Sequence, residues 1–181
     1  MIIKLFHTGP LAVNSYVVTD EKTKKTFIVD PGGHNTDMVN YIKENDLQVE
    51  FIILTHGHGD HIGGVPALRK EFPAAKLVIG IHDKEMLEEP ELNMSGMMYV
   101  QPLSLTADRY VADGETLQMG ELELKFFHTP GHTPGGICIL VENAVFSGDT
   151  LFEQSIGRTD FPGSSYQAIV KSIREKLFVL P

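Results

Sequence analysis

The seven residues THGHGDH at positions 55–61 put three histidines and an aspartate directly behind the apolar run Phe51–Leu54. Few folds can bury such a run and still leave so many polar rings free to act. The run is short and rich in isoleucine, as a buried strand requires, and Val65, Leu68 and Phe72 recur beyond it at helical spacing. A helix is therefore predicted from about Ile62 to Phe72, and the histidine segment is the loop that joins strand to helix.

Short apolar runs alternate with helix-period segments through the rest of the chain, and nothing repeats at a fixed period. Residues 2–6, 16–19 and 25–29 read as strands joined by polar turns, so the first third opens as an antiparallel sheet. A helix from Asn35, a strand over 76–79 and a helix over 83–89 follow. Residues 90–108 carry Pro, Gly, Asn and Met94, Met97 and Met98 without a period and read as a long functional loop. Residues 110–111, 116–119, 121–127, 137–141 and 144–146 read as a second antiparallel set, and 164–178 as a closing helix. Two halves that each mix sheet and helix predict an α/β (α+β) fold of four layers, α, β, β, α.

At 181 residues, with 42% hydrophobic and 22% charged residues, the chain holds one substantial core and is read as a single domain. The 15 basic residues face 24 acidic ones, a formal charge of −9 that repels phosphate backbones and anionic membranes, so neither nucleic acid nor membrane is expected as a partner. No apolar run nears the roughly 20 residues of a membrane span and the first residues lack a signal-peptide pattern, which makes a cytoplasmic protein the expectation. The one cysteine, Cys138, lies in an apolar segment and reads as a buried structural thiol.

His56 and His58 are two residues apart, so both rings can face one ion from an extended loop, whereas in a helix they would diverge by about 200°. Asp60 and His61 follow at once, and four such groups serve two ions more naturally than one tetrahedral ion. Two ions roughly 3.5–4 Å apart need further ligands and a bridging group. His132, in the Gly/Pro loop TPGHTPGG, and Asp149, in SGDT, both follow strands and supply candidates. The glycines of residues 57–64 could instead cradle a phosphate, but the Lys-Ser/Thr pair of a P-loop and the spacing of a dinucleotide fingerprint are both missing, so the metal reading is preferred. His7, His34, His82 and His128 stand alone and read as ordinary imidazoles, and the methionines as loop packing. Asp30, in VDPGG, is either a turn residue or the acceptor for a metal-bound histidine.

In their order, THGHGDH, Gly131-His132 and SGDT resemble the motifs of the metallo-β-lactamase superfamily, and VDPGG is similar to the strand end that precedes them in its glyoxalase II-like branch. LFEQSIGRTDFPG, residues 151–163, further resembles single-domain hydrolases related to hydroxyacylglutathione hydrolase, so the likeness covers nearly the whole chain. The resemblance implies an αββα sandwich with two zinc ions at one sheet edge, iron or manganese being other candidates. His56, His58 and His132 would hold the first, Asp60 and His61 the second, and Asp149 would bridge them. Arg158 falls where relatives meet a substrate carboxylate, the competing reading being an ion pair with Asp160. Relatives carry a further ligand histidine beyond their last helix, where this chain stops at Leu177–Pro181; the expectation is a domain over 1–181 whose natural chain continues into that strand and loop.

Such a ligand set implies hydrolysis by a hydroxide shared between the metals, with Asp60 orienting it. The implied substrate is a small acyl thioester, glutathione-linked thioesters among the candidates. Two alternatives stand beside it: a mononuclear-iron persulfide dioxygenase, whose ion is bound by two histidines and an aspartate, and a non-enzymatic metal-binding module.

Overall fold

The computed structural model describes residues 1–181. Its first sheet runs in the order β1 (Ile2–Thr8), β2 (Val13–Thr19), β3 (Lys25–Val29), β4 (Gln48–Leu54), β5 (Lys76–Gly80) and β6 (Arg109–Val111). The first three strands pair antiparallel as expected, and β3 to β6 are parallel. The second sheet takes the order β10 (Ala144–Phe146), β9 (Ile137–Val141), β8 (Leu122–His128) and β7 (Thr116–Met119), all antiparallel. Residues 110–111 thus belong to the first sheet, not to the second set: β6 hydrogen-bonds to β5, where Val111 joins the core between the sheets.

The apolar runs of the parallel strands are nearly continuous because both faces are covered. Alternate side chains divide between two cores: Ile28, Ile52, Leu54, Leu77 and Ile79 pack under helices, while Phe27, Val29, Ile53 and Val78 face the other sheet. Across that gap β8 offers Leu122, Leu124 and Phe126 and turns Glu123 and Lys125 to solvent, the alternation of a strand buried on one side. Helices α1 (Thr36–Glu44) and α3 (Val65–Glu71) cover the outer face of the first sheet. Helix α6 (Tyr166–Ser172), continued by a π turn over Ile173–Leu177, lays Ile169 and Ile173 on Cys138 of β9. The layers are therefore α, β, β, α. Asn35 caps α1 by accepting from the Met38 N–H at 2.8 Å, and Ser165 caps α6 by accepting from the Ala168 N–H at 3.2 Å.

Two further predicted elements differ. The helix expected over 62–72 is split into α2 (Gly59–Ile62) and α3, so Asp60 and His61 sit on a helical turn and not in an open loop. The break falls at Gly63 and Gly64, where a Cβ on Gly63 would lie 2.5 Å from the Gly32 carbonyl oxygen and one on Gly64 would lie 2.7 Å from that of Gly33. That contact presses the VDPGG turn against the histidine segment. Residues 90–108 are not irregular throughout: after α4 (Lys84–Glu88) come α5 (Pro90–Asn93) and a 3-10 turn over Ser95–Met97. Buried Asn93 and Ser95 hold the base of this segment through bonds to the backbone of Leu103, while Met97 and Val100 are exposed. The short hairpin β11 (Leu151–Phe152) and β12 (Ser155–Ile156), absent from the prediction, completes the strands. No helix is long and apolar enough to cross a membrane.

Candidate metal centre

The carboxyl ends of neighbouring parallel strands are where an open sheet gathers ligand-binding loops. Here Asp30 follows β3 and THGHGDH follows β4, while His132 and Asp149 arrive from the loops after β8 and β10 of the facing sheet. A cross-sheet bond from the Ile137 N–H to the Thr55 carbonyl, 2.8 Å, joins the two sides at that point.

The donor atoms form two groups. Those of His56, His58 and His132 lie within 4.8 Å of one another, as do those of His56, His61 and Asp149, so His56 is common to both. His58 Nδ1 and His132 Nε2 are 3.0 Å apart, and Asp149 reaches both sides, 3.3 Å from His61 Nε2 and 3.4 Å from His132 Nε2. Asp60 stands beside the second group, its Oδ2 3.7 Å from His61 Nε2, without joining either set of three.

Neighbouring bonds assign the tautomers. Thr55 donates its hydroxyl to Asp30 Oδ2 at 2.6 Å, so its oxygen is left to accept from His56 Nδ1 at 3.1 Å. The lone pair of His56 then sits on Nε2, which is buried and has no hydrogen-bond partner. In the same way His132 Nδ1 donates to the Arg158 carbonyl at 2.8 Å, which makes Nε2, 3.0 Å from His58 Nδ1, the acceptor nitrogen. His61 Nδ1 lies 3.1 Å from Asp30 Oδ2 but out of hydrogen-bond alignment and has no other partner. An unpartnered buried nitrogen costs about 1–3 kcal/mol, comparable to what one buried isoleucine contributes. The orphaned lone pair of His56, with the imidazoles of His58, His61 and His132 and the Asp149 carboxylate around it, fits a cation of nitrogen and oxygen preference.

The protonation states of His56 and His58 agree with that. Burial, and then the neighbouring His61, His58 and His132, hold His56 well below the ordinary imidazole range, and burial with His132 and His61 pushes His58 down to about 3. Both rings are neutral, as ligands must be. Burial also works against a charged His61, yet the carboxylates of Asp30 and Asp149 outweigh it and raise that ring well above the usual value. Burial raises Asp60, helped by Asp149 and opposed by His61, whereas the histidines around Asp149 overcome its burial and hold it low. Beside Asp60, His61 and Asp149 opens a cleft of about 430 Å³ with Leu11, Tyr16 and Phe152 on its walls.

Arg158 lies on the side of His58 and His132, outside the lining of that cleft, and is not free: its guanidinium is bidentate with Asp160, at 2.9 and 2.7 Å, and stacks on Phe161 4.4 Å from the ring centroid. Phe161 in turn sits 5.2 Å from the His58 ring. Asp30 is buried and also accepts from the Thr55 N–H at 2.7 Å, and Cys138 is buried with its thiol pushed up to about 11 by its surroundings. The isolated histidines stay outside the centre; His82 and His128 stack on each other 4.7 Å apart away from it. Two residues escaped the sequence reading. Phe161 carried no signal beyond its place in the 151–163 stretch, and Asp83, at the first position of the helix predicted over 83–89, was not singled out, although a position just after a central strand could have marked it.

Comparisons with known proteins agree with this geometry. The family model described as Metallo-beta-lactamase superfamily matches residues 8–179. The chain is 36% identical over 177 residues to the "Probable metallo-hydrolase YqgX" of Bacillus subtilis, covering 96% of this chain and 82% of that protein. It is 32% identical over 185 residues to the "Hydroxyacylglutathione hydrolase GloC" of Haemophilus influenzae, covering 99% and 86%. Among solved structures, the BLEG-1 B3 metallo-beta-lactamase superposes with a TM-score of 0.91 at 36% identity, covering 99% of this chain and 87% of that one.

Proposed function

Because the chain belongs to the metallo-beta-lactamase superfamily, we propose that its two histidine groups form the dinuclear centre of a hydrolase that cleaves a small acyl thioester. The observation that carries this reading is the pair of donor groups sharing His56, with Asp149 between them. A mononuclear site would need one such group. His56, His58 and His132 would hold the first ion, and His61, Asp149 and Asp60 the second. When bound, the ions supply a water acidified toward neutral pH and polarisation of the substrate carbonyl. Zinc suits the nitrogen-rich set, and iron or manganese suits the carboxylates equally well.

The chain's own residues do the rest. Asp60, beside His61, would orient the attacking water by accepting its hydrogen bond and relay the proton that this water gives up. As the new C–O bond forms and the C–S bond breaks, that proton is available to the leaving thiolate. Leu11, Val13 and Phe152 in the cleft lining offer apolar contact to an acyl group, and the cleft's volume falls within the usual range for small-molecule sites. On the side of His58, Arg158 would exchange Asp160 for a substrate carboxylate, as a glutathione-linked or similar thioester would offer. The name of the Haemophilus influenzae relative supports that class of substrate.

The test compares a carboxylate-bearing with a neutral thioester on metal-loaded protein. Arg158→Ala should raise KM for the first about tenfold, the loss of one charge-assisted pair, and leave the second nearly unchanged. Absence of thioester turnover in the metal-loaded parent would overturn the proposal; equal loss on both substrates would remove Arg158 from substrate binding.

A further inference from the structure

One carboxylate outside the donor groups ties their loops together. Asp83, just after β5, is 0% exposed. Its Oδ2 accepts from the Gly57 N–H at 3.1 Å and from the Thr133 hydroxyl at 2.8 Å, and its Oδ1 accepts from the Gly135 N–H at 2.6 Å. Gly57 lies between His56 and His58, and Thr133 follows His132. We propose that Asp83 is a positioning residue, which sets the His56–His58 segment against His132 and so fixes the geometry of the first metal position. The proposal rests on the metal-centre reading above.

The first donor group spans two sheets: His56 and His58 hang from β4 of one, His132 from the β8–β9 connection of the other. Loops from separate sheets have no inherent reason to keep their rings in register to a fraction of an ångström, as a site of fixed coordination requires. Asp83 provides that reason, since a carboxylate offers four acceptor positions on two oxygens and here binds both loops at once. The approach is close: a Cβ on Gly135 would lie 2.1 Å from the Asp83 backbone nitrogen, so the loop of His132 can reach this anchor only as glycine. A buried charge is costly unless its bonds are made, and a packing role alone would be met more cheaply by an apolar side chain. Asparagine at this position keeps the shape but replaces one oxygen with an N–H₂ group, turning an acceptor toward a donor.

The experiment titrates the metal-free full chain with Co²⁺, reading stepwise affinity and the visible absorption of the bound ion, with thermal unfolding of the metal-free protein alongside. Asp83→Asn should bind the first ion about tenfold more weakly, in line with the cost of losing support around metal ligands, and shift its absorption bands. The second step should change little. Thr133→Val, which removes one donor and keeps the carboxylate, should weaken the first step less, with Tm close to the parent's. Unchanged first-step affinity and spectrum in Asp83→Asn would overturn the proposal, as would equal weakening of both steps in proportion to a loss of Tm. If Asp83→Asn does not fold, Thr133→Val decides: a weaker first step at parental Tm supports the role, and an unchanged one overturns it. A parent that binds no Co²⁺ sinks the metal-centre reading and this one together, whereas a parent that binds ions without cleaving thioesters sinks only the substrate assignment.

Discussion

At Asp60 the residue-level chemistry is most exposed to test. The side chain is 3.7 Å from His61 and, in the proposed centre, orients the attacking water and helps hold the second ion, so its loss should disturb the reaction more than it disturbs substrate binding. Asp60→Ala is expected to lower kcat about 10²–10⁴-fold, the usual worth of a positioned proton acceptor, with KM little changed. Steady-state kinetics at saturating metal checks this, and an unaltered kcat would strip Asp60 of its role. Which residues were legible from the chain alone follows from spacing. His56, His58, Asp60 and His61 fall within six positions, and local geometry limits what such a cluster can serve. His132 and Asp149 were legible as loop residues after strands. Asp83 was not, because its importance lies in three bonds to distant backbone and hydroxyl groups that no local pattern announces.

Element boundaries show the same division. Strands with alternating or continuous apolar runs were read in place, since burial of one or both faces writes a period into the sequence. Gly63 and Gly64 were counted inside a helix because their reason for being glycine is the VDPGG turn pressed on them, a tertiary contact. Residues 110–111 were assigned to the wrong sheet because a three-residue strand carries no information about its partner. One contact between elements leads to a stability prediction. Asp20, closing the β2–β3 turn, accepts from the Glu121 N–H of the β7–β8 turn at 2.7 Å, from the Thr23 hydroxyl at 2.7 Å and from the Lys22 N–H at 3.0 Å. Those bonds lower its carboxyl from 3.8 to about 2. A depressed carboxylate stabilises the fold above its unfolded value, and that contribution disappears as pH falls through the folded value. Thermal unfolding of the parent should therefore lose stability between about pH 4 and pH 2, and Asp20→Asn, less stable at pH 7, should lose less over that window. Parallel profiles for the two proteins would show that Asp20 does not link the turns.

For the whole molecule, the sandwich explains why polar groups gather at one edge. The core between the sheets and the core under the helices are both closed by apolar side chains, and the strand ends after β3, β4, β5, β8 and β10 are where the chain turns over and the two sheets expose backbone and side chains to each other. The four layers were legible as a class, while the facing of β4 against the β8–β9 connection, which assembles the centre, depends on packing across the whole chain. A ligand that binds only the folded form adds stability as its concentration rises above Kd, about 2.7 kcal/mol at a hundredfold excess, so metal should raise Tm in a concentration-dependent way. That gain shows binding; chemistry needs rate. The most direct measurement follows thioester hydrolysis by the full chain after chelator stripping and during stepwise return of zinc. Turnover should vanish in the stripped protein and recover in proportion to the zinc bound. Hydrolysis that persists at the same rate in protein shown to hold no metal would contradict the assignment of His56, His58, His61, His132 and Asp149 to a hydrolytic metal centre.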